Sequence, residues 1–120
     1  MTVSVGVLGV GSMGRHHARV YQELGDADLV GVADVDGQTA AEVAEAYDTK
    51  VLTPEELVDA ADAVSIAVPS QFHREIGVRA LRSGVHALIE KPLAPTQEEA
   101  ESLVSAAADA GVQLHVGHIE

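Results

Sequence analysis

Several residue types that carry specialised chemistry are scarce or missing in this chain. It has 120 residues, with no cysteine, no tryptophan and only 2% aromatic residues. Without cysteine it can form neither a disulfide framework nor a thiolate metal site, which leaves its six histidines as the main candidate ligands for a transition metal. The histidines show no spacing typical of a metal centre, and we predict no metal site.

Long hydrophobic runs are also missing. Although 47% of the residues are apolar, no uncharged apolar run approaches the roughly 20 residues that a membrane-spanning helix needs. The N-terminus lacks the basic and then apolar pattern of a signal segment. We therefore expect a cytoplasmic protein that has no membrane partner.

Positive charge is the third scarcity. Seven lysine and arginine residues, only two of them lysines, stand against nineteen aspartate and glutamate residues, which gives a net charge of −12. This charge repels nucleic acid and anionic lipid surfaces, so we exclude both as partners. Few lysines and abundant carboxylates are typical of salt-loving organisms, in which dense counterions screen the acidic surface. We expect a halophilic protein, with an ordinary acidic cytosolic protein as the alternative.

Short apolar runs rich in β-branched residues recur along the chain, as expected for strands that are covered on both faces. They predict strands at 3–9, 28–34, 62–69, 85–90 and 112–117, with a weaker sixth strand at 50–52. A chain of this length has room for one domain with one core. No linker or internal repeat divides residues 1–120, so we assign them to a single domain.

Helical patterns separate these strands. The first predicted helix presents Met13, His17, Val20 and Leu24 on one face. Adjacent helical residues point in different directions, so of His16 and His17 we expect one to pack against the sheet. Capping boxes at 53–56 and 96–99 mark two later helix starts. Alternating strands and helices predict an α/β fold of the Rossmann type, doubly wound, with a mainly parallel six-stranded sheet and helices on both faces.

A glycine-rich segment joins the first predicted strand to the first predicted helix. Gly9, Gly11 and Gly14 have the spacing G-x-G-x-x-G. In a dinucleotide site the first glycine permits a tight turn, the second lets the backbone approach a pyrophosphate, and the third lets the helix pack close to the strand. Helix amides would face the phosphates. The predicted phosphate-binding turn comprises Gly9, Val10, Gly11, Ser12, Met13 and Gly14.

Asp34 completes the dinucleotide pattern, because it follows Gly14 by twenty residues and ends the next predicted strand. There its carboxylate would accept hydrogen bonds from the hydroxyls of the adenosine ribose. A 2′-phosphate would bring like charges together, and no lysine or arginine lies between Asp34 and Lys50 to compensate. We therefore predict NAD as the cofactor, with NADP disfavoured. A turn without a ligand and a methyltransferase remain weaker alternatives.

Two further motifs follow later strands: VPSQFH at 68–73 and EKP at 90–92. Together with GVLGVGSMGRHHA at 6–18, they resemble the N-terminal domain of the glucose-fructose oxidoreductase, inositol dehydrogenase and MocA family, over the whole chain. The resemblance implies a nicotinamide cofactor and hydride transfer at a hydroxyl carbon of a sugar, cyclitol or nucleotide-sugar. In its motif residues the chain is similar to members that oxidise UDP-N-acetylhexosamines at the 3-position.

The resemblance also assigns roles to individual residues. It implies that Glu90 contacts the ribose on the nicotinamide side and that Lys91 reaches the substrate. Lys91 is therefore the candidate catalytic residue, chiefly by orienting and polarising the substrate hydroxyl, and the principal base would lie elsewhere. The residues implied to border the cofactor are Val68, Pro69, Ser70 and His73. His73 has an alternative role as an ordinary residue of the first turn of a helix.

Members of the resembled family continue into a second domain that builds the substrate pocket and mediates oligomerisation. We expect that domain to be absent from this chain, so that residues 1–120 alone are inactive and a longer parent protein forms a homo-oligomer. The segment 116–120 resembles the start of the crossing into that domain. A non-catalytic nucleotide-binding or redox-sensing module is the alternative function. The EKP motif favours the enzyme, because a sensor has no evident need for a lysine at the nicotinamide end.

Overall fold

Five parallel strands form the central sheet in the computed structural model, which describes residues 2–91 and 93–117, with the backbone only at Ser12. Their order across the sheet is β2-β1-β3-β4-β5, and every neighbouring pair is parallel. The order reverses direction between β1 and β3, which in sheets of this kind opens a crevice at the carboxyl ends of the strands. The strands are β1 (Val3–Leu8), β2 (Ala27–Ala33), β3 (Ala63–Ile66), β4 (His86–Glu90) and β5 (Leu114–Gly117).

Helices occupy the connections between the strands. They are α1 (Ser12–Glu23), α2 (Gly37–Ala46), α3 (Pro54–Ala60), α4 (His73–Arg82) and α5 (Gln97–Ala110), and a single 3₁₀ turn at Ser70–Phe72 precedes α4. Thr53 and Glu56 form the complete capping box predicted for α3. Thr96 accepts a hydrogen bond from the backbone of Glu99 and caps α5. Among the described residues no helix combines the length and the apolar character needed to cross a membrane.

The hydrophobic pattern does not mark α2, although its N-terminus has a clear signal. Asp36 caps this helix by accepting hydrogen bonds from the amides of Gln38 and Thr39. These bonds hold the pKa of the Asp36 carboxyl below its usual value. Alanine and glutamate dominate the helix, so its buried stripe of Ala40, Val43 and Ala44 is short and inconspicuous in the sequence.

The predicted strand at 50–52 is wrong as a full strand. In the described part of the chain this segment forms one parallel bridge, between Val51 and Val32. The amide of Val32 donates to the carbonyl of Lys50 at 2.8 Å, and the amide of Leu52 donates to the carbonyl of Val32 at 2.9 Å. Pairing then ends because Thr53 caps α3, which begins one residue later. Over the residues that the structure describes, the sheet is therefore five-stranded, with a one-residue extension at its β2 edge.

Helices cover both faces of the sheet, as predicted for a doubly wound fold. On one face α1 and α2 pack against β1 and β2 through the buried residues Val5, Val7, Ala18, Leu29, Val32 and Val43. On the other face α3, α4 and α5 pack through the buried residues Leu8, Leu57, Ile66, Leu81, Ile89 and Leu103. The two layers hold the carboxyl ends of β1, β3 and β4 side by side.

Gly14 allows α1 to lie directly against the turn that follows β1. A Cβ atom placed on Gly14 would overlap the backbone carbonyl of Gly9. Gly9 itself has a φ of +90°, a conformation that residues with side chains rarely adopt. The third glycine of the motif is therefore required by helix packing, as its position in the motif predicts.

Replacing Gly14 by alanine should destabilise the protein, because a backbone overlap can be relieved only by moving α1. We expect Gly14→Ala to lower the free energy of unfolding by about 3 kcal/mol, measured by urea denaturation. Gly37→Ala is the matched control, since among the described residues its added Cβ would meet no atom within 4 Å. Equal unfolding midpoints for Gly14→Ala and the wild type would contradict this account of the turn.

Candidate functional site

The turn between β1 and α1 is held by backbone hydrogen bonds. The amide of Gly9 donates to the carbonyl of Ala33 at 2.7 Å, which ties the turn to the end of β2. The side chain of Val10 is fully buried beneath it. A Cβ atom on Gly11 would meet nothing within 4 Å among the described residues, so this glycine borders open space. The second glycine of the motif thus leaves room for a ligand to approach the backbone.

The N-terminus of α1 differs from those of the other helices that begin near strand ends. Its N-cap is Gly11, which supplies no side-chain acceptor, whereas Asp36, Thr53 and Thr96 cap α2, α3 and α5. Helix α4 also starts without a side-chain cap, at Phe72, but it is preceded by a 3₁₀ turn and not by a glycine turn. An uncapped helix start offers backbone N–H groups and the positive end of the helix dipole. Next to the open space at Gly11, this arrangement suits an anionic group such as a phosphate.

Asp34 lies directly beside this turn. Its Oδ2 accepts a hydrogen bond from the amide of Val10 at 2.8 Å, and its Oδ1 accepts one from the amide of Asp36 at 2.8 Å. Each carboxylate oxygen can accept a second hydrogen bond, so the group is held in place with acceptor capacity remaining. The amide of Val10 is already used by Asp34, which means that Val10 shapes the turn.

A cavity of about 530 Å³ opens at the carboxyl ends of the strands beside Asp34. Val35 is fully exposed next to it, and Phe72 keeps 43% of its surface exposed. Apolar walls with one carboxylate and one helix N-terminus offer surfaces for a flat ring, a sugar hydroxyl and a phosphate. The cavity is lined by Gly9, Gly11, Asp34, Val35, Ala67, Val68, Pro69, Phe72 and Ile76.

The cavity lining contains residues that the sequence motifs do not identify. Val35, Ala67 and Ile76 belong to no binding motif, and Phe72 lies within VPSQFH at 68–73 but receives no role from the resemblance. For Val35 and Ala67 the sequence offers one indication, which is that they follow the ends of strands β2 and β3. Side chains just beyond the carboxyl ends of parallel strands border the crevice of such sheets.

Val68, Pro69 and Ser70 lie between β3 and α4, and Glu90 ends the neighbouring strand β4, with Lys91 following it. Because Ile66 pairs with Ile89, the ends of β3 and β4 lie next to each other. Lys91 is exposed, one residue beyond the sheet. The structure thus brings the two family motifs to adjacent strand ends, with the glycine turn on the next strand.

His73 lies beneath these loops. Its imidazole is 1% exposed, with Nε2 at 2.8 Å from the carbonyl of Val68 and Nδ1 at 3.0 Å from the carbonyl of Leu93. In the structure this side chain therefore contacts the backbone of the two loops that follow β3 and β4. This position suits a residue that supports the crevice from below.

Glu90 is buried against α1. Its Oε1 lies 2.5 Å from Nε2 of His17, which is completely buried, whereas His16 is partly exposed. The prediction that one of the two neighbouring histidines packs against the sheet is confirmed. Its pairing with Glu90 has no local signal in the sequence, because 73 residues separate the partners.

Tyr21 and Ser65 extend this buried polar group. Their hydroxyls are hydrogen-bonded, and the ring of Tyr21 meets the imidazole of His17 edge to face. Burial raises the pKa of the Tyr21 phenol, and the negative charge of Glu90 raises it further, against the opposing effect of the bond to Ser65. The α1 side of the sheet thus contains a polar cluster below the crevice.

A larger hollow of about 710 Å³ lies elsewhere, on the outer layer between α4 and α5. Charged residues of both signs line it, including Arg74, Arg82, Glu98 and Asp109. It lies away from the strand ends and the glycine turn. The smaller cavity is therefore the candidate site, because the glycine turn, Asp34 and the loop after β3 line it, although Glu90 and Lys91 are not among its lining residues.

Comparison with known proteins agrees with this geometry. Residues 3–118 match the family described as "Oxidoreductase family, NAD-binding Rossmann fold". UDP-N-acetylglucosamine 3-dehydrogenase of Acidithiobacillus ferrooxidans is 39% identical over 116 residues, which cover 96% of this chain and 36% of the relative. Inositol 2-dehydrogenase of Rhizobium meliloti is 35% identical over 119 residues, which cover 98% of this chain and 36% of the relative. The chain thus spans about a third of the length of these curated relatives.

Solved structures show the same fold. UDP-N-acetylglucosamine 3-dehydrogenase GnnA from Acidithiobacillus ferrooxidans superposes with a TM-score of 0.93 at 37% identity, covering 98% of this chain and 39% of that one. GenD2 from gentamicin A biosynthesis, in complex with NAD, has a TM-score of 0.91 at 31% identity, with coverages of 97% and 34%. Biliverdin reductase from Synechocystis, in complex with biliverdin and NADP+, has a TM-score of 0.90 at 29% identity, with coverages of 97% and 38%. This chain belongs to the oxidoreductase family with the NAD-binding Rossmann fold.

Proposed function

We propose that this chain is the NAD-binding part of a longer dehydrogenase that acts on a hydroxyl group of a sugar, cyclitol or nucleotide-sugar. The observation that carries the proposal is the placement of the Asp34 carboxylate, bonded to Val10 of the glycine turn and bordering the crevice. Both curated relatives cited above are dehydrogenases, and the solved structures include a dehydrogenase and a reductase, which favours an enzyme over a redox sensor or a methyltransferase.

The residues present fit a dinucleotide along the crevice. Asp34 would accept the ribose hydroxyls of the adenosine half, and the start of α1 would receive the pyrophosphate. The loop after β3 and the end of β4 would border the nicotinamide half. The full proposed set is Gly9, Val10, Gly11, Ser12, Met13, Gly14, Asp34, Val68, Pro69, Ser70, His73, Glu90 and Lys91, with Val10 and His73 acting through the backbone they support.

When bound, NAD supplies the hydride acceptor, and the chain's own residues prepare the substrate. Removing hydride from a carbon requires its hydroxyl proton to leave, so a positioned cation beside that oxygen stabilises the charge that develops. Lys91 is the proposed catalytic residue for this purpose, because it is exposed at the end of β4. The principal base is assigned to the remainder of the longer protein, and residues 1–120 alone should not turn over substrate.

The setting of the protein is proposed from its composition and its relatives. A net charge of −12 supports the proposal that the protein works in a salt-rich cytoplasm. The same charge disfavours nucleic acid and membrane surfaces as partners. A homo-oligomeric parent and a sugar, cyclitol or nucleotide-sugar substrate are proposed from the resemblance and from the activities of the relatives.

The proposed site is tested by calorimetric titration of the chain with NAD. The wild type should bind, and Gly11→Ala should weaken binding by about 10-fold or more, because the methyl group occupies the space that a pyrophosphate needs. The melting temperature should stay unchanged, since the added Cβ has no neighbour within 4 Å in the described structure. Gly37→Ala is again the control. No NAD binding by the wild type, or equal affinity in Gly11→Ala, would refute the site.

Asp34 should set the choice between NAD and NADP. A 2′-phosphate near its carboxylate places like charges together, so NADP should bind at least about 10-fold more weakly than NAD. Asp34→Asn should reduce the preference for NAD over NADP. The ratio of the two affinities is unaffected by a general loss of affinity, because both ligands share the remaining contacts. Titration with each dinucleotide measures the ratio. Tighter binding of NADP than of NAD by the wild type would overturn the assignment.

A further inference from the structure

The buried pair of His17 and Glu90 has no assigned purpose in the fold or in the binding of the adenosine half. The imidazole is completely buried, and the Glu90 side chain keeps 11% of its surface exposed. Placing a carboxylate in such surroundings is unfavourable unless a partner satisfies it. The neighbouring contacts between α1 and the sheet are mostly apolar, apart from the hydrogen bond between Tyr21 and Ser65. A polar pair at this place therefore needs a reason beyond packing.

Hydrogen bonding indicates what the imidazole does. An ionised carboxylate can only accept, so Nε2 of His17 donates its hydrogen to Oε1 of Glu90 across 2.5 Å. Nδ1 is buried and has no hydrogen-bond partner within the described residues. Within the described structure, the imidazole thus makes its hydrogen bond to Glu90 alone. The tautomer that carries its hydrogen on Nε2 forms this bond.

The position of the pair connects the two ends of the proposed site. Glu90 is the last residue of β4 and precedes Lys91, while His17 lies one turn beyond Gly14 on the helix that begins at the glycine turn. The bond therefore fixes the β4 end relative to the phosphate-facing helix. Asp34 is remote from it, because β1 and β3 lie between β2 and β4, a separation of roughly 14 Å at ordinary strand spacing.

We propose that His17 is a positioning residue that holds the Glu90 carboxylate for the ribose of the nicotinamide half. By occupying Oε1 from the buried side, His17 leaves the remaining acceptor capacity of the carboxylate for ribose hydroxyls in the crevice. This inference rests on the proposed NAD site, and it assigns His17 no contact with the cofactor. Its influence is confined to the nicotinamide half, because the adenosine half is held at β2.

The test compares two ligands on the same chain. ADP contains the adenosine and pyrophosphate but lacks the nicotinamide riboside, so it reports on Asp34 and the glycine turn alone. His17→Leu should weaken NAD binding by about 10-fold, the effect of losing one hydrogen bond to a charged group, and leave ADP binding within about 2-fold. His17→Gln retains a side-chain N–H and should recover part of the NAD affinity. Calorimetry measures both ligands, and thermal melting checks each variant.

Glu90→Gln provides a second variant that preserves the shape of the buried side chain. Its amide oxygen can still accept from His17, but an NH₂ group replaces the second acceptor oxygen, so it should show the same selective loss. Combining it with His17→Leu should add little, because both changes act through the one contact between residue 90 and the ribose. A parallel loss of NAD and ADP affinity would show a merely structural role and overturn the inference. Unchanged NAD binding in both single variants would also overturn it while leaving the proposed function standing. A wild type that binds ADP but not NAD would overturn both.

Discussion

The close approach of α1 to the turn after β1 is the constraint on which the other features depend. Only a glycine at position 14 permits the helix to lie against the carbonyl of Gly9. Asp34 stabilises the same turn from the neighbouring strand through the amide of Val10. With the start of α1 fixed in this way, its next turn places His17 over the end of β4, where it meets Glu90. One packing contact thus positions the amides proposed to face the phosphates and the strand end at the opposite side of the crevice.

The charge that the crevice needs for an anionic ligand is opposite in sign to the net charge of the whole chain. A chain with a net charge of −12 is proposed to hold an anionic dinucleotide, so attraction must come from groups close to the ligand. The uncapped start of α1 supplies backbone N–H groups at the turn, and Lys91 supplies a positive charge near the end of β4. Asp34 is the exception, and at the proposed ribose end a carboxylate is useful because hydroxyl groups would donate to it.

Local patterns in the sequence predict those parts of the structure that depend on neighbours along the chain. The buried parallel strands appear as apolar runs, and the glycine turn appears as a motif with Asp34 at the required distance. Helix α2 is not predicted from the apolar pattern, because its buried stripe consists mainly of alanine. The segment 50–52 is predicted as a strand but forms only one bridge in the described structure, because the cap of α3 interrupts its pairing. The bond from His17 to Glu90 joins residues 73 positions apart, and such a pair becomes visible only when the chain folds.

The most direct test of the central claim is an NMR titration of the ¹⁵N-labelled chain with NAD. The account predicts shifts concentrated at the backbone amides of 9–14, of Asp34, of Val68 and Ser70, and of Glu90. The amides around the hollow between α4 and α5, such as those of Arg82 and Asp109, should not move. Shifts centred on that hollow, or a spectrum unchanged at saturating NAD, would contradict the claim that the crevice at the strand ends binds the cofactor.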